Sequence, residues 1–240
     1  MKTAIVTGAT KGIGLATARM LLKEGYHVVV TYAHDSASAE RCREELSSIS
    51  SNFTIVRADQ SDKASMREFV EYIKGAYTSV EAIVCNAGTT LRCPFEEITD
   101  EDWERMMQVN LNSNLYLIRD LNKMIAPNSR IIFIGSLMGV YPHGTSLAYG
   151  VTKSALHALA LNLVKCFEGT NTTVNAIAPG FVETEWQASK PQQIRDNIVA
   201  KSAIKRFATT DEVAEAVRFC INNAFVNGSI IEVSGGYNFK

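Results

Sequence analysis

The feature that most narrows the fold of this 240-residue chain is a regular alternation of two kinds of segment. Short apolar runs at 3–7, 27–32, 53–57, 81–85, 130–135, 172–177 and 229–233 are of strand length or rich in Val, Ile and Thr. Between them, segments near 13–24, 37–49, 62–76, 101–125, 150–168 and 211–222 carry helical spacing. Strand–helix alternation builds βαβ units, whose strands lie parallel in one sheet and whose helices cover both faces. No Pro/Gly/Ser-rich linker, repeat or low-complexity tract interrupts the pattern, so a single domain over 1–240 is expected.

Several function classes are disfavoured. The net charge is −1 and no basic stripe with interleaved aromatics is present, which argues against nucleic acid and against an anionic membrane surface. No stretch approaches the roughly 18 apolar residues of a membrane span. The apolar start, Thr3 to Val6, is too short for a signal-peptide core, so a cytoplasmic protein is expected. The five cysteines (42, 85, 93, 166 and 220) show no metal spacing and read as free thiols, mostly small buried hydrophobes. No His/Cys/Asp cluster suits a metal.

After the first strand comes Gly8-Ala9-Thr10-Lys11-Gly12-Ile13-Gly14, then a helix. Glycines at such a turn permit positive φ and let a pyrophosphate approach the backbone, and the helix N-terminus offers free N–H groups to it. The plain alternative is a tight strand-to-helix turn. Farther on, Tyr149 and Lys153 stand four residues apart, one helical turn, so the ammonium can lie beside the phenol and lower its pKa. Tyr149 can then exchange a proton with a carbonyl oxygen. Ser136 follows the strand Arg130–Gly135, and its hydroxyl can hydrogen-bond the same oxygen as charge develops. Asn110 reads equally as a helix break or cap, and Asp59 as a cap for the helix from 62.

The Gly-x-x-x-Gly-x-Gly spacing after Thr7, with Asn110, Ser136, Tyr149 and Lys153 in order, resembles the short-chain dehydrogenase/reductase family over essentially the whole chain. The resemblance implies a Rossmann-type, doubly wound, three-layer α/β/α fold with about seven strands. It implies hydride transfer from a nicotinamide, with Asn110, Ser136, Tyr149 and Lys153 as the catalytic set. Asn110 would sit at a helix distortion and hold a water that links the lysine to solvent. The implied cofactor contacts are Gly8, Thr10, Lys11, Gly12, Ile13, Gly14, Tyr32, Asp59 (toward the adenine), Asn86, Ala87, Gly88, Tyr149, Lys153, Pro179, Gly180, Val182 and Thr184. Two departures stand out: Cys85 replaces a usual second Asn, and the segment between Phe219 and Gly228 is short and lacks a Thr-Gly.

The second strand ends Val30-Thr31-Tyr32, without the acid that would bind ribose hydroxyls and favour NAD. Lys11, and secondarily His34, can meet a 2′-phosphate, while Asp35 argues the other way from deeper in the loop. NADP(H) is therefore expected over NAD(H). Residues 185–208 are expected to form a lid with an apolar cover (Trp186, Pro191, Ile194, Ile198, Phe207) and basic residues (Lys190, Arg195, Lys201, Lys205, Arg206). Tyr141 and His143 either line the pocket or are ordinary loop residues.

Within the family the likeness is greatest to 3-oxoacyl-(acyl-carrier-protein) reductases, which implies a 3-oxoacyl thioester in fatty acid biosynthesis and an acyl carrier protein as possible partner. Against this, the stretch 167–173 has no Lys or Arg and 122–130 only Lys123 and Arg130, too little for an acidic carrier. A sugar, polyol or other small-carbonyl dehydrogenase stays open, as does an NADP-sensing regulator that is not an enzyme. A nucleotide-sugar epimerase or dehydratase would usually need a longer chain. The segment 154–164 is apolar nearly all round, which predicts a helix buried on the sheet side and against a partner subunit, hence a homodimer or homotetramer. His157 within it reads as a core or interface histidine.

Overall fold

The computed structural model describes residues 1–142 and 146–237, so His143 lies outside the described residues. The strands are β1 (Thr3–Val6), β2 (His27–Tyr32), β3 (Phe53–Arg57), β4 (Val80–Cys85), β5 (Ile125–Ile134), β6 (Thr173–Pro179) and β7 (Ile230–Val233). The helices are α1 (Gly12–Lys23), α2 (Ser36–Ser47), α3 (Lys63–Ala76), α4 (Asp100–Met107), α5 (Ser113–Asp120), α6 (Leu147–Cys166), α7 (Glu185–Ala188), α8 (Gln192–Lys201) and α9 (Thr210–Asn222).

All strand pairs are parallel, in the order β3-β2-β1-β4-β5-β6-β7. This is the doubly wound Rossmann-type α/β/α fold. Adjacent strand residues face opposite layers: Ala4 and Val6 pack with Ala16, Leu21, Leu46, Val213 and Val217, on the side of α1, α2 and α9. Ile5 packs with Phe69, Leu117 and Leu156, on the side of α3, α5 and α6. Side chains buried this fully contribute roughly 1.5–3 kcal/mol each, and they explain why both faces of each central strand read as continuous apolar runs. Strand order reverses between β1 and β4, which opens a crevice at their carboxyl ends.

The segment 101–125 is helical, with a distortion at Asn110 as the resemblance implied. It is α4, a π-helical turn at Gln108–Asn112, then α5. The wider turn loosens main-chain bonding, and side chains take up the slack: Ser113 Oγ donates to Val109 O (2.8 Å) and Asn114 Nδ2 to Asn110 O (2.9 Å). The short segment after α9 is secured by amides in place of length. Asn227 Oδ1 accepts from Val174 N, and Asn175 bridges Val226 O and Ser229 N. It leaves Phe225 98% exposed. Cysteines 42, 85 and 220 are buried as expected, whereas Cys166, at the end of α6, is exposed and Cys93 is half-buried.

Candidate functional site

The carboxyl ends of the strands open into a cavity of about 1050 Å³. The glycine turn lines one end. Helix α1 starts there with no capping side chain and no acid in its first turn, so its leading N–H groups and positive pole stay available beside Lys11, Gly12 and Ile13. Gly8 has φ +60°, and a Cβ on it would lie 2.8 Å from Ala87 Cα. The turn is braced from β4: Thr7 Oγ1 accepts from the N–H groups of Asn86 (3.0 Å) and Ala87 (3.1 Å), and Asn86 Nδ2 donates to Thr7 O and Gly8 O, both 2.9 Å.

Of the residues expected to contact a cofactor, Gly8, Thr10, Lys11, Gly12, Ile13, Tyr32, Asp59, Asn86, Ala87, Gly88, Tyr149, Lys153, Pro179, Gly180, Val182 and Thr184 all line this cavity. Gly14 does not. A Cβ there would meet Asn86 Nδ2 at 2.5 Å and Ala9 Cα at 2.6 Å, so this glycine seats the helix against the turn. Asn110 is also behind the wall, fully buried. Its amide accepts from Thr89 N (2.8 Å) and donates to Thr89 O and Thr152 Oγ1 (both 3.0 Å).

The charges at this end are paired. Lys11 binds Glu185 (2.7 Å) and Asp35 (3.3 Å), which hold its pKa above the usual lysine value. Asp35 also caps α2 through Ser38, and those hydrogen bonds bring its carboxyl down to about 2. His34 pairs with Asp59 at 2.9 Å. Asp59 is not the cap of α3, since Asp62 accepts from Ala64 N and Ser65 N there. Burial would raise the Asp59 pKa, but the Ser61 hydrogen bonds and the charges of His34 and Arg57 outweigh it and leave a net lowering.

Ser136, Tyr149 and Lys153 meet at the other end. Ser136 follows the end of β5, where its hydroxyl accepts from Met138 N (3.1 Å) and lies close enough to act on the Tyr149 phenol. The Tyr149 phenol is raised above its usual pKa, not lowered as the spacing with Lys153 suggested. Burial raises it, while Ser136 and the positive charge of Arg92 oppose. Lys153 Nζ lies 5.7 Å from the Tyr149 ring centroid and donates to Ile134 O at 2.8 Å; burial pushes its pKa down to about 8. Cys85, at the β4 end, is pushed up to about 12 by burial and stays a neutral thiol.

Three neighbours complete the site: Thr152 and Arg92 carried no pattern in the sequence, and His157 is the core histidine expected within α6. His157 is 3% exposed beneath the Ser136 turn, where its Nε2 accepts from Ser136 N at 3.4 Å; burial brings its pKa down to about 4. Thr152 joins Asn110 to α6. Arg92, in the loop after β4, reaches the cavity, and its place beyond a strand's carboxyl end was the only available signal. Of the lid residues, Trp186 and Lys190 line the cavity, Ile198 and Phe207 are buried, Ile194 is exposed, and Arg195 pairs with Glu183 at 2.6 Å. Tyr141 also lines it and reaches Glu232 at 3.4 Å.

Strand order, the open helix end and the glycine turn define a Rossmann-type dinucleotide fold. Residues 8–238 match a family model described as Enoyl-(Acyl carrier protein) reductase. The chain is 31% identical to a 2-dehydro-3-deoxy-D-gluconate 5-dehydrogenase of Pseudoalteromonas atlantica, over 98% of this chain and 95% of that one. It is 30% identical to the 3-oxoacyl-(acyl-carrier-protein) reductase FabG of Aquifex aeolicus, over 98% and 96%. A blue fluorescent protein from a metagenomic library, solved in complex with NADPH, superposes with TM-score 0.92 at 28% identity over 99% of this chain and 98% of that one. This chain belongs to the short-chain dehydrogenase/reductase family of oxidoreductases. Among the described residues no helix is long and apolar enough to cross a membrane, and no group of His, Cys, Asp or Glu could hold a metal.

Proposed function

We propose that this protein is an NADP(H)-dependent reductase of a carbonyl group, with Tyr149 as proton donor. The observation that carries this reading is that Ser136, Tyr149 and Lys153 share one cavity with the uncapped N-terminus of α1. The residues fit a dinucleotide: the open helix end suits a pyrophosphate, Lys11 a 2′-phosphate, and Asp35 is engaged as a helix cap instead of facing a ribose. When bound, the reduced nicotinamide supplies a hydride to the carbonyl carbon. Tyr149, like an unperturbed tyrosine, is a neutral phenol at neutral pH, and it gives its proton to the carbonyl oxygen. The Ser136 hydroxyl stabilises the same oxygen as it gains charge. Lys153, charged below about pH 8, holds positive potential next to the phenol as it loses its proton. Asn110 fixes the β4 loop to α6 through Thr89 and Thr152.

Pro179, Gly180, Val182 and Thr184 would orient the nicotinamide, and residues 185–208 close over the substrate. Leu147, Val151 and Leu161 leave an apolar stripe on α6, the face for a second subunit. Carrier-protein docking has little support, because Arg130 is turned onto the carbonyls of Ile221, Asn128 and Ser129.

The test is NADPH oxidation by purified protein with a 3-oxoacyl thioester, an enoyl thioester, sugars, sugar acids and simple ketones, repeated with NADH. Turnover of a carbonyl with NADPH preferred supports the reading. Reduction of the enoyl thioester alone, or a preference for NADH, overturns it.

A further inference from the structure

We infer that the substrate carries a free carboxylate a short distance from its reacting carbonyl, held between Arg92 and Lys190 at the Tyr149 end of the cavity. Both side chains line the cavity together with Ser136 and Tyr149. They come from separate elements, the loop after β4 and the turn between α7 and α8. Among the described residues neither forms a salt bridge. Lys190 donates to the Gln187 amide and lies 5.6 Å over the Phe181 ring, contacts that position it without neutralising it. Arg195 stands near, but Glu183 neutralises it at 2.6 Å.

Two unpaired cations at one mouth repel each other. The Lys190 pKa is brought down to about 8, first by burial and then by the charges of Arg92 and Arg195. An anion seated between them relieves that repulsion, and the planar fork of an arginine matches a carboxylate. The distance along the substrate is also bounded. Arg92 lies close enough to Tyr149 for its charge to act on the phenol. The anion therefore sits within a short chain of the carbonyl that Tyr149 protonates. A carrier-bound thioester places its phosphate at the far end of a long arm and does not meet this condition; a small oxo acid does.

The inference rests on the carbonyl-reductase reading but is measured separately from it. Levulinate and its methyl ester, a matched charged and neutral pair, are titrated by calorimetry into the protein saturated with NADP⁺. The acid is expected to bind at least about tenfold tighter than the ester. In Arg92→Gln combined with Lys190→Met the ratio is expected to fall to about twofold or less, and Arg92→Lys should restore part of it. Equal affinity for the two compounds in the wild type, including none for either, overturns the inference. So does a preference that survives the double substitution. NADPH oxidation failing with every carbonyl would instead sink the reductase reading and leave the acid-to-ester ratio to decide the carboxylate site by itself.

Discussion

The two ends of the cavity treat charge in opposite ways. At the glycine turn the cations Lys11 and Arg19 are paired with acids, Lys11 with Asp35 and Glu185 and Arg19 with Glu45 and Asp211, and His34 stands 2.9 Å from Asp59. At the Tyr149 end, Arg92 and Lys190 have none, and Lys153 is buried against a carbonyl. Exposed pairs contribute about 0–1 kcal/mol each and exchange readily, so the first end can trade one partner for a phosphate at small cost. The second end keeps an uncompensated field aimed at whatever reacts. One cavity thus combines a neutral cradle with a charged mouth.

The hardest test of this division is Tyr149→Phe. Turnover should fall by roughly 10²–10⁴-fold, while the NADP⁺ dissociation constant stays within a factor of about two. A matching loss of cofactor affinity would show that the ends are not separable.

The next is pH. Lys153 carries its charge below about pH 8 and loses it above, since burial lowers its pKa. The rate of reduction should therefore decline by about tenfold per pH unit above that point. The limb should persist in Lys190→Met, whose own group titrates near the same pH. A flat profile to pH 10 would remove Lys153 from its role.

Gly14→Ala addresses the cradle. Its Cβ would need the backbone of Ala9 to move, at a cost of about 1–3 kcal/mol. Urea unfolding should show that loss, and cofactor binding should weaken with it.

The smallest effect is expected from Lys11→Ala. NADPH should lose its advantage over NADH by about tenfold, from the loss of a charged phosphate contact, with stability changed by less than about 1 kcal/mol because both pairs are exposed. Unchanged cofactor preference would assign Lys11 to the lid alone, through Glu185.

Much of the frame was legible because local chemistry and tertiary structure agree. The glycine turn, the strand-length Val and Ile runs and the one-turn spacing of Tyr149 and Lys153 need only backbone rules to be read. Ser136 followed from its strand end. What failed depended on partners distant in sequence. Lys11 read as a partner for a 2′-phosphate, and nothing local showed that its closest acid is Glu185, 174 residues on. The spacing of Tyr149 and Lys153 suggested a lowered phenol, but burial dominates both groups and no periodicity reports it. Gly14 belongs to the motif by pattern, and the Asn86 side chain beneath it adds a packing constraint that spacing does not report. Arg92 lies in a loop where no period operates.

The π-helical turn at Gln108–Asn112 amounts to one surplus residue in an otherwise continuous helical path. Each residue in an α-helix advances the chain by about 100°. Deleting one here would heal the main-chain bonding and look, locally, like an improvement. It would also swing either Asn110 or the apolar stripe of α5 about a quarter turn, losing the grip on Thr89 and Thr152 or exposing Leu117 and Ile118. Regularity and function are therefore mutually exclusive at this point, and the irregular turn persists as a phase shifter between a helix that faces solvent and one that faces the core.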